Sequence, residues 1–284
     1  MLADLQASLL GTAAMSTSHA PPFDTLLRRA YVPYSGRAVA TLAVLDDGRW
    51  VPGVRVESAS FPLPIPALTA ALAGAQALGA LGRVQAFVST RPFTATGIAL
   101  AEEALGRSVR READGSLVVG DSAPPDIGDA FDVRNAWAQP RQADLGAAVD
   151  LARQAAQRAR VPHSKFPVGC ALATREGLMV PGVNVEFDDW TRGLCAERTA
   201  LALAVSYGLT PTALTVTCLD APGGTPCGAC RQVIAEHALN VPLWIDQGPV
   251  PPTQTTAAAL LPDAFLGAAL HQPTNARPAD GSYA

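Results

Sequence analysis

In the second half of the chain the apolar positions change their period several times, and each change marks an element. Leu145 to Arg160 carries apolar residues at three- and four-residue spacing among good helix formers, which predicts a helix. Val168 to Thr174 and Leu178 to Val185 are short apolar runs on either side of Glu176-Gly177, the pattern of two strands joined by a turn. Cys195 to Tyr207 is an Ala/Leu helix, Leu214 to Leu219 a buried strand, Gly228 to Ala238 a helix and Val241 to Ile245 a further strand. Helices interleaved with short apolar strands predict an α/β domain in which helices pack on a sheet.

The first half repeats the second. Val32 to Leu72 aligns with Val161 to Leu201 at a constant offset of 129 without a gap, and 14 of 41 positions are identical. After a length difference of five residues the match resumes at offset 134, where Pro92 falls on Pro226 and Asp129-Ala130-Phe131 on Asp263-Ala264-Phe265. Self-similarity at this period makes the chain two copies of one unit. Their joint is expected in the polar segment Arg134 to Ala143.

Composition narrows the partners. The 284 residues are 49% hydrophobic and 16% charged, which suits a compact globular protein with sizeable cores. A net charge of -4 supplies no overall basic field for a polyanion, so nucleic acid is not expected as a partner. No apolar run approaches the roughly 18 residues of a membrane span, and no membrane partner is expected. The start, MLADLQASLLGTAAM, has Asp4 before its apolar run and no Lys or Arg, so it reads as a loose tail rather than a secretory leader, with Met15 as an alternative start. Five cysteines, an odd number, suit thiol or metal chemistry in a reducing cytoplasm better than a disulfide framework.

Two short motifs open the two helices of the second copy: Cys195-Ala196-Glu197-Arg198 and Thr225-Pro226-Cys227-Gly228-Ala229-Cys230. Cysteines at helix starts favour the thiolate form and can converge on one metal. Three thiolates and a neighbouring carboxylate fit a catalytic zinc site, which keeps a position open for water, better than a closed structural one. Glu197 stands two residues beyond Cys195, within reach of an activated water without being a ligand, and can act as general base and then acid. Three anionic sulfurs leave such a site negative, and Arg198 beside the ligand can offset that charge. Cys170 and Cys218 fall in apolar strands and read as buried small hydrophobes. The cluster Arg107 to Arg111 reads as a solvated face.

At these motifs the chain resembles the cytidine deaminase family, whose signature sets a zinc-ligand-x-Glu ahead of Pro-Cys-x-x-Cys. The likeness extends to Ser164-Lys165-Phe166-Pro167-Val168-Gly169, Gly182-Val183-Asn184-Val185-Glu186 and Leu261-Pro262-Asp263-Ala264-Phe265, and covers about Ala147 to Phe265. The resemblance implies two tandem three-layer α/β/α domains: a degenerate one at 22–135 and a catalytic one at 136–270, between tails at 1–21 and 271–284. It implies one zinc per chain on Cys195, Cys227 and Cys230, with Glu197 as proton shuttle. It further implies that Asn184 and Glu186 bond the ribose hydroxyls, that Phe166 packs against the nucleoside, that the Ala196 N–H holds the pyrimidine carbonyl and that the Thr225 carbonyl receives the exocyclic amine. Phe265 is a candidate base contact, from its own chain or across a subunit boundary.

The activity so implied is hydrolytic deamination of cytidine and deoxycytidine to the uracil nucleosides with release of ammonia, a step of pyrimidine salvage in the cytoplasm. The assembly implied is a homodimer that mimics four units. His163, where many members have Tyr, and Phe187-Asp188-Asp189-Trp190 depart from the usual pattern and leave substrate breadth open. Three other readings stay open: a related enzyme acting on another base or nucleoside, a redox Cys-x-x-Cys, and a zinc-stabilised scaffold without turnover.

The offset also reads Ser60 to Leu72, SFPLPIPALTAAL, as the first copy's version of the metal motif. Pro66 stands for Cys195, Leu68 for Glu197, Phe93 for Cys227, Thr96 for Cys230 and Arg55 for Asn184. All metal ligands and the carboxylate are missing there.

Overall fold

The computed structural model describes residues 22–121, 123, 125–133 and 144–271; the expected N-terminal tail, the joint at Arg134 to Ala143 and the C-terminal tail beyond His271 lie outside them. The first unit runs α1 (Phe23–Arg29), β1 (Ala40–Leu45), β2 (Trp50–Val54), α2 (Ala67–Ala77), β3 (Val84–Ser89), α3 (Ala95–Leu105), β4 (Val109–Arg111) and β5 (Leu117–Val119). The second runs α4 (Leu145–Ala156), β6 (Val168–Thr174), β7 (Met179–Val183), α5 (Ala196–Tyr207), β8 (Pro211–Cys218), α6 (Gly228–Ala238), β9 (Leu243–Gln247), β10 (Val250–Thr255) and α7 (Ala257–Leu260). Each unit forms a five-stranded sheet, in the orders β2-β1-β3-β5-β4 and β10-β9-β8-β6-β7.

Glycines fix how closely the helices sit on the sheets. Gly169 and Gly182 belong to adjacent pairs of the β6/β7 ladder, Gly169 with Val183 and Gly182 with Cys170, so they point to opposite faces. A Cβ on Gly169 would lie 2.0 Å from the Ala152 carbonyl oxygen of α4, and one on Gly182 would lie 2.1 Å from that of Ala196 on α5. One helix therefore presses on each face, giving three layers. The first unit repeats the contact, with Gly53 of β2 against Ala67 of α2 at 2.2 Å.

The run α2, ALTAALAGAQA, is buried on nearly every side, as is α5. A helix apolar all round belongs inside a protein, and these two pack on their own sheets and on each other. Gly74 of α2 faces Leu203 of α5, residues related by the offset of 129, so the contact lies on a pseudo-twofold axis between the units. Flanking bonds obey the same symmetry: Arg29 donates to the Ser206 carbonyl at 3.0 Å and Arg158 to the Ala77 carbonyl at 3.1 Å.

The copies differ in two ways. Leu42 pairs with Val88 in the first sheet and Ala171 with Thr215 in the second, so the strand offset is 127 rather than 129. The net difference of five is thus a two-residue shortening before β8 and a seven-residue lengthening after it, relative to the first unit. In addition, β9 runs parallel to β8, whereas the strand at the equivalent place beside β3 is antiparallel β5, the second arm of its hairpin. The Arg107 to Arg111 cluster, expected as a solvated face, supplies edge strand β4; Arg107 and Arg111 also donate to the Val84 and Phe93 carbonyls at 2.9 and 2.6 Å. Charged side chains on an edge discourage further strand pairing.

Candidate metal centre and its cavity

Cys195 is the N-cap of α5 and Cys227 the N-cap of α6, both in extended conformation, and Cys230 lies in the first turn of α6. The two helix starts point at one spot. The sulfur of Cys227 lies 3.7 Å from that of Cys195 and 3.6 Å from that of Cys230, and the three are mutually within 4.8 Å. Tetrahedral zinc with bonds of about 2.3 Å needs ligand sulfurs about 3.8 Å apart. The donor set therefore fits zinc without rearrangement, and Cys195, Cys227 and Cys230 form the zinc-binding triad of the chain. Contacts with Cys195 and then Cys230 hold the Cys227 thiol far below its usual range, while the contact with Cys227 raises Cys195. Cys170 and Cys218 are buried in strands, outside the metal-competent groups among the described residues.

Glu197 sits in the first turn of α5, 3% exposed, and burial pushes its carboxyl above the usual range. It lines a cavity of about 540 Å³ together with Cys195, Cys227, Phe166, Asn184, Glu186 and Thr225. Of the other sequence-predicted residues, Cys230 completes the sulfur triad from α6, and Arg198, Ala196 and Phe265 do not line the cavity. Ala196 is fully buried behind the wall, and Phe265 is 55% exposed and does not line this cavity, its carbonyl accepting from Gln232 at 2.7 Å. His163 faces outward, its Nε2 3.2 Å from Asp188.

Two of the lining residues have structural duties. Asn184 accepts from the Val168 N–H at 2.8 Å and donates to the Phe166 carbonyl at 2.9 Å. Glu186 accepts from the N–H groups of His163 and Ser164 at 3.0 and 3.1 Å and from the Ser164 hydroxyl. Burial opposes its charge, but the Ser164 and His163 bonds hold its carboxyl below the usual range. Glu57 makes the same three bonds to Tyr34 and Ser35 in the copy without ligands. These bonds shape the loop before the first strand of each sheet. That loop turns through a left-handed residue, Gly36 in one copy and Lys165 in the other, at φ 64 and 55°.

Arg198 is nearly buried and donates to the Leu63 carbonyl of the first unit at 3.0 Å. Its Nε has no hydrogen-bond partner among the described residues. The proline-rich stretch of the degenerate copy thus braces the residue after the carboxylate. Sequence reasoning missed this carbonyl, as well as Ser164 and the wall residue Gly224 on the longer loop after β8. The retained Ser35/Ser164 identity and the uneven offset were the available signals for the last two.

Residues 143–241 match the family model described as the cytidine and deoxycytidylate deaminase zinc-binding region. Among relatives, "Cytidine deaminase" of Sporosarcina psychrophila is 40% identical over 124 residues, which is 43% of this chain and 91% of the relative. "Cytidine deaminase" of Mycobacterium tuberculosis is 42% identical over 116 residues, 40% of this chain and 84% of the relative. A crystal structure of cytidine deaminase from Burkholderia pseudomallei matches with 36% identity and a TM-score of 0.41, covering 43% of this chain and all of that one. With a zinc-fitted thiol triad inside the matched region, and a likeness that spans almost the whole of a relative, the chain belongs to the cytidine deaminase family.

Proposed function

We propose that the second unit hydrolyses cytidine and deoxycytidine to uridine and deoxyuridine: water adds its oxygen at C4, the C4–N bond breaks and ammonia leaves. The observation that carries this reading is Glu197, a buried carboxylate lining one cavity with Cys195 and Cys227. Zinc on Cys195, Cys227 and Cys230 would supply Lewis acidity that brings the pKa of water from about 16 towards 7.

The chain's own residues bind the substrate and move the protons. Glu197 takes one proton from the attacking water and gives it to the ring nitrogen N3, then takes the second from the new C4 hydroxyl and gives it to the leaving amine, so that C4 keeps a carbonyl as ammonia departs. The Ala196 N–H holds the pyrimidine carbonyl, the Thr225 carbonyl accepts from the exocyclic amine and Phe166 covers the nucleoside. An amide has two donors and two acceptor sites and a carboxylate about four acceptor sites. After their loop bonds, Asn184 keeps a donor and an acceptor for ribose hydroxyls, and Glu186 keeps an acceptor. Arg198 offsets the charge of the thiolates.

The chain is proposed to act in pyrimidine salvage in the cytoplasm, which suits five unpaired cysteines. It is also proposed to form a homodimer with four units in all, in which Phe265 could meet a neighbour's base. Exposed Phe61 and Trp190, equivalent by the offset of 129 and 69% and 83% exposed, give each unit an aromatic for that contact. No helix among the described residues is long and apolar enough to cross a membrane.

The test is a nucleoside panel on zinc-loaded protein and on Glu197→Ala, with zinc content and assembly mass measured on the same samples. The variant should keep its zinc and lose deamination by about 100- to 10,000-fold. Comparable activity in the variant would remove Glu197 from the mechanism. Wild-type protein with one zinc per chain that deaminated nothing would make the site a scaffold.

A further inference from the structure

The first unit has no zinc ligands, yet it keeps a cavity at the equivalent place. Its volume is about 730 Å³, against 540 Å³ in the second unit. It opens at the N-terminal ends of α2 and α3, as the other does at those of α5 and α6. Three positions that line the second cavity, Phe166, Asn184 and Thr225, are replaced here by Arg37, Arg55 and Arg91, all of which line the first.

The local geometry supports the equivalence. The Arg37 N–H donates to the Ser35 hydroxyl at 3.0 Å, as that of Phe166 donates to Ser164 at 3.1 Å. The Arg55 side chain donates to the Arg37 carbonyl at 3.3 Å, as Asn184 does to Phe166 at 2.9 Å. A fourth guanidinium, Arg192, reaches this cavity from the second unit.

Among the described residues no Asp or Glu lines this space. Among the described residues Arg37 and Arg91 form no ion pair. Arg55 stands 3.8 Å from Glu57, whose carboxylate is already committed to Tyr34 and Ser35. Arg192 pairs at 3.3 Å with exposed Asp189, an interaction worth little in water. Guanidiniums bond phosphate oxygens in pairs, and the two helix N-termini add to the positive field. The remaining wall includes Val39, Leu68, Phe93 and Leu100, an apolar surface of the kind that receives a flat ring. A bare anion would leave that surface wet, and an unphosphorylated nucleoside would leave the arginines unanswered.

We propose that the first unit binds a nucleoside phosphate, with its phosphate on Arg37, Arg55, Arg91 and Arg192 and its base against the apolar wall. This assignment stands whether or not the second unit deaminates cytidine. It is tested by titration calorimetry of the zinc-loaded full chain with uridine monophosphate, uridine and inorganic phosphate. Uridine monophosphate should bind once per chain, at least tenfold more tightly than either of the others. The double variant Arg37→Gln/Arg91→Gln should weaken it at least tenfold, since charge-assisted bonds to phosphate are lost. The circular dichroism spectrum and the kcat/KM for cytidine should stay at their wild-type values. Absence of nucleotide binding, inorganic phosphate or uridine binding equally well, or undiminished binding by the double variant would each overturn the proposal.

Discussion

Replacing Gly182 by alanine tests how the sheet positions the metal ligands, and the duplicated architecture supplies its own control. A Cβ at Gly182 would lie 2.1 Å from the Ala196 carbonyl oxygen and 2.9 Å from the Ala200 nitrogen, and the one at Gly53 would lie 2.2 and 2.3 Å from the equivalent atoms of Ala67 and Ala71. Such contacts do not persist below 3.0 Å, so the start of α5 or α2 must retreat by about 1 Å. Overpacking of this kind costs about 1–3 kcal/mol, and both variants should melt about 3–10 °C lower. Their metal binding should differ. Ala196 directly follows Cys195, whereas Ala67 follows Pro66. Metal sites tolerate errors of about 0.2 Å in ligand distance, so Gly182→Ala should bind zinc at least tenfold more weakly while Gly53→Ala binds it normally. Thermal unfolding of the apo proteins and competition with a chromogenic chelator measure the two quantities. Equal zinc affinity in both variants at equal loss of stability would refute the idea that this packing sets the ligand positions.

Further outcomes follow from the contacts between units. Arg198→Met keeps the buried stem but removes the bond to the Leu63 carbonyl, and should lower the unfolding free energy by about 1–3 kcal/mol in urea titration. His237, edge-on to Tyr31 with ring centroids 4.7 Å apart, has its pKa lowered by burial to about 4, against the opposing pull of Glu236. The unfolded chain therefore binds a proton near pH 6.5 that the folded chain refuses until about 4, and stability should fall by up to about 3 kcal/mol as pH drops through that window. His237→Phe should flatten that part of the profile; an unchanged urea midpoint difference between pH 7 and 4.5 would remove His237 as its source.

Period and punctuation located the core of the second unit. Val168–Thr174 and Gly228–Ala238 form as expected, because a buried strand and a helix with one apolar face are each specified by residues close in the chain. The predicted helix from Leu145 stops at Ala156 rather than Arg160, and β8 begins at Pro211 rather than Leu214. Strand β10 was not visible because VPPTQT carries two prolines and little apolar pattern; as an edge strand it tolerates both. The ligands and Glu197 were legible because they stand on two short motifs. The Leu63 brace and the reach of Arg192 were not, since each joins residues of different units through tertiary packing. The arginines of the first cavity were plain in the sequence, but only the fold makes them neighbours.

The meeting of Gly74 and Leu203 on the pseudo-twofold axis records something a symmetric pair cannot do. In a homodimer of single units, the residue on the axis faces its own copy, so a leucine meets a leucine and a glycine meets a glycine. Fusion into one polypeptide lifts that self-complementarity. Here one side gives up its side chain and the other fills the space, and a Cβ on Gly74 would come within 2.8 Å of the Leu203 methyl. Once the halves could differ at their centre, they were free to differ elsewhere: one could lose its metal chemistry while still bracing its neighbour from within the same molecule.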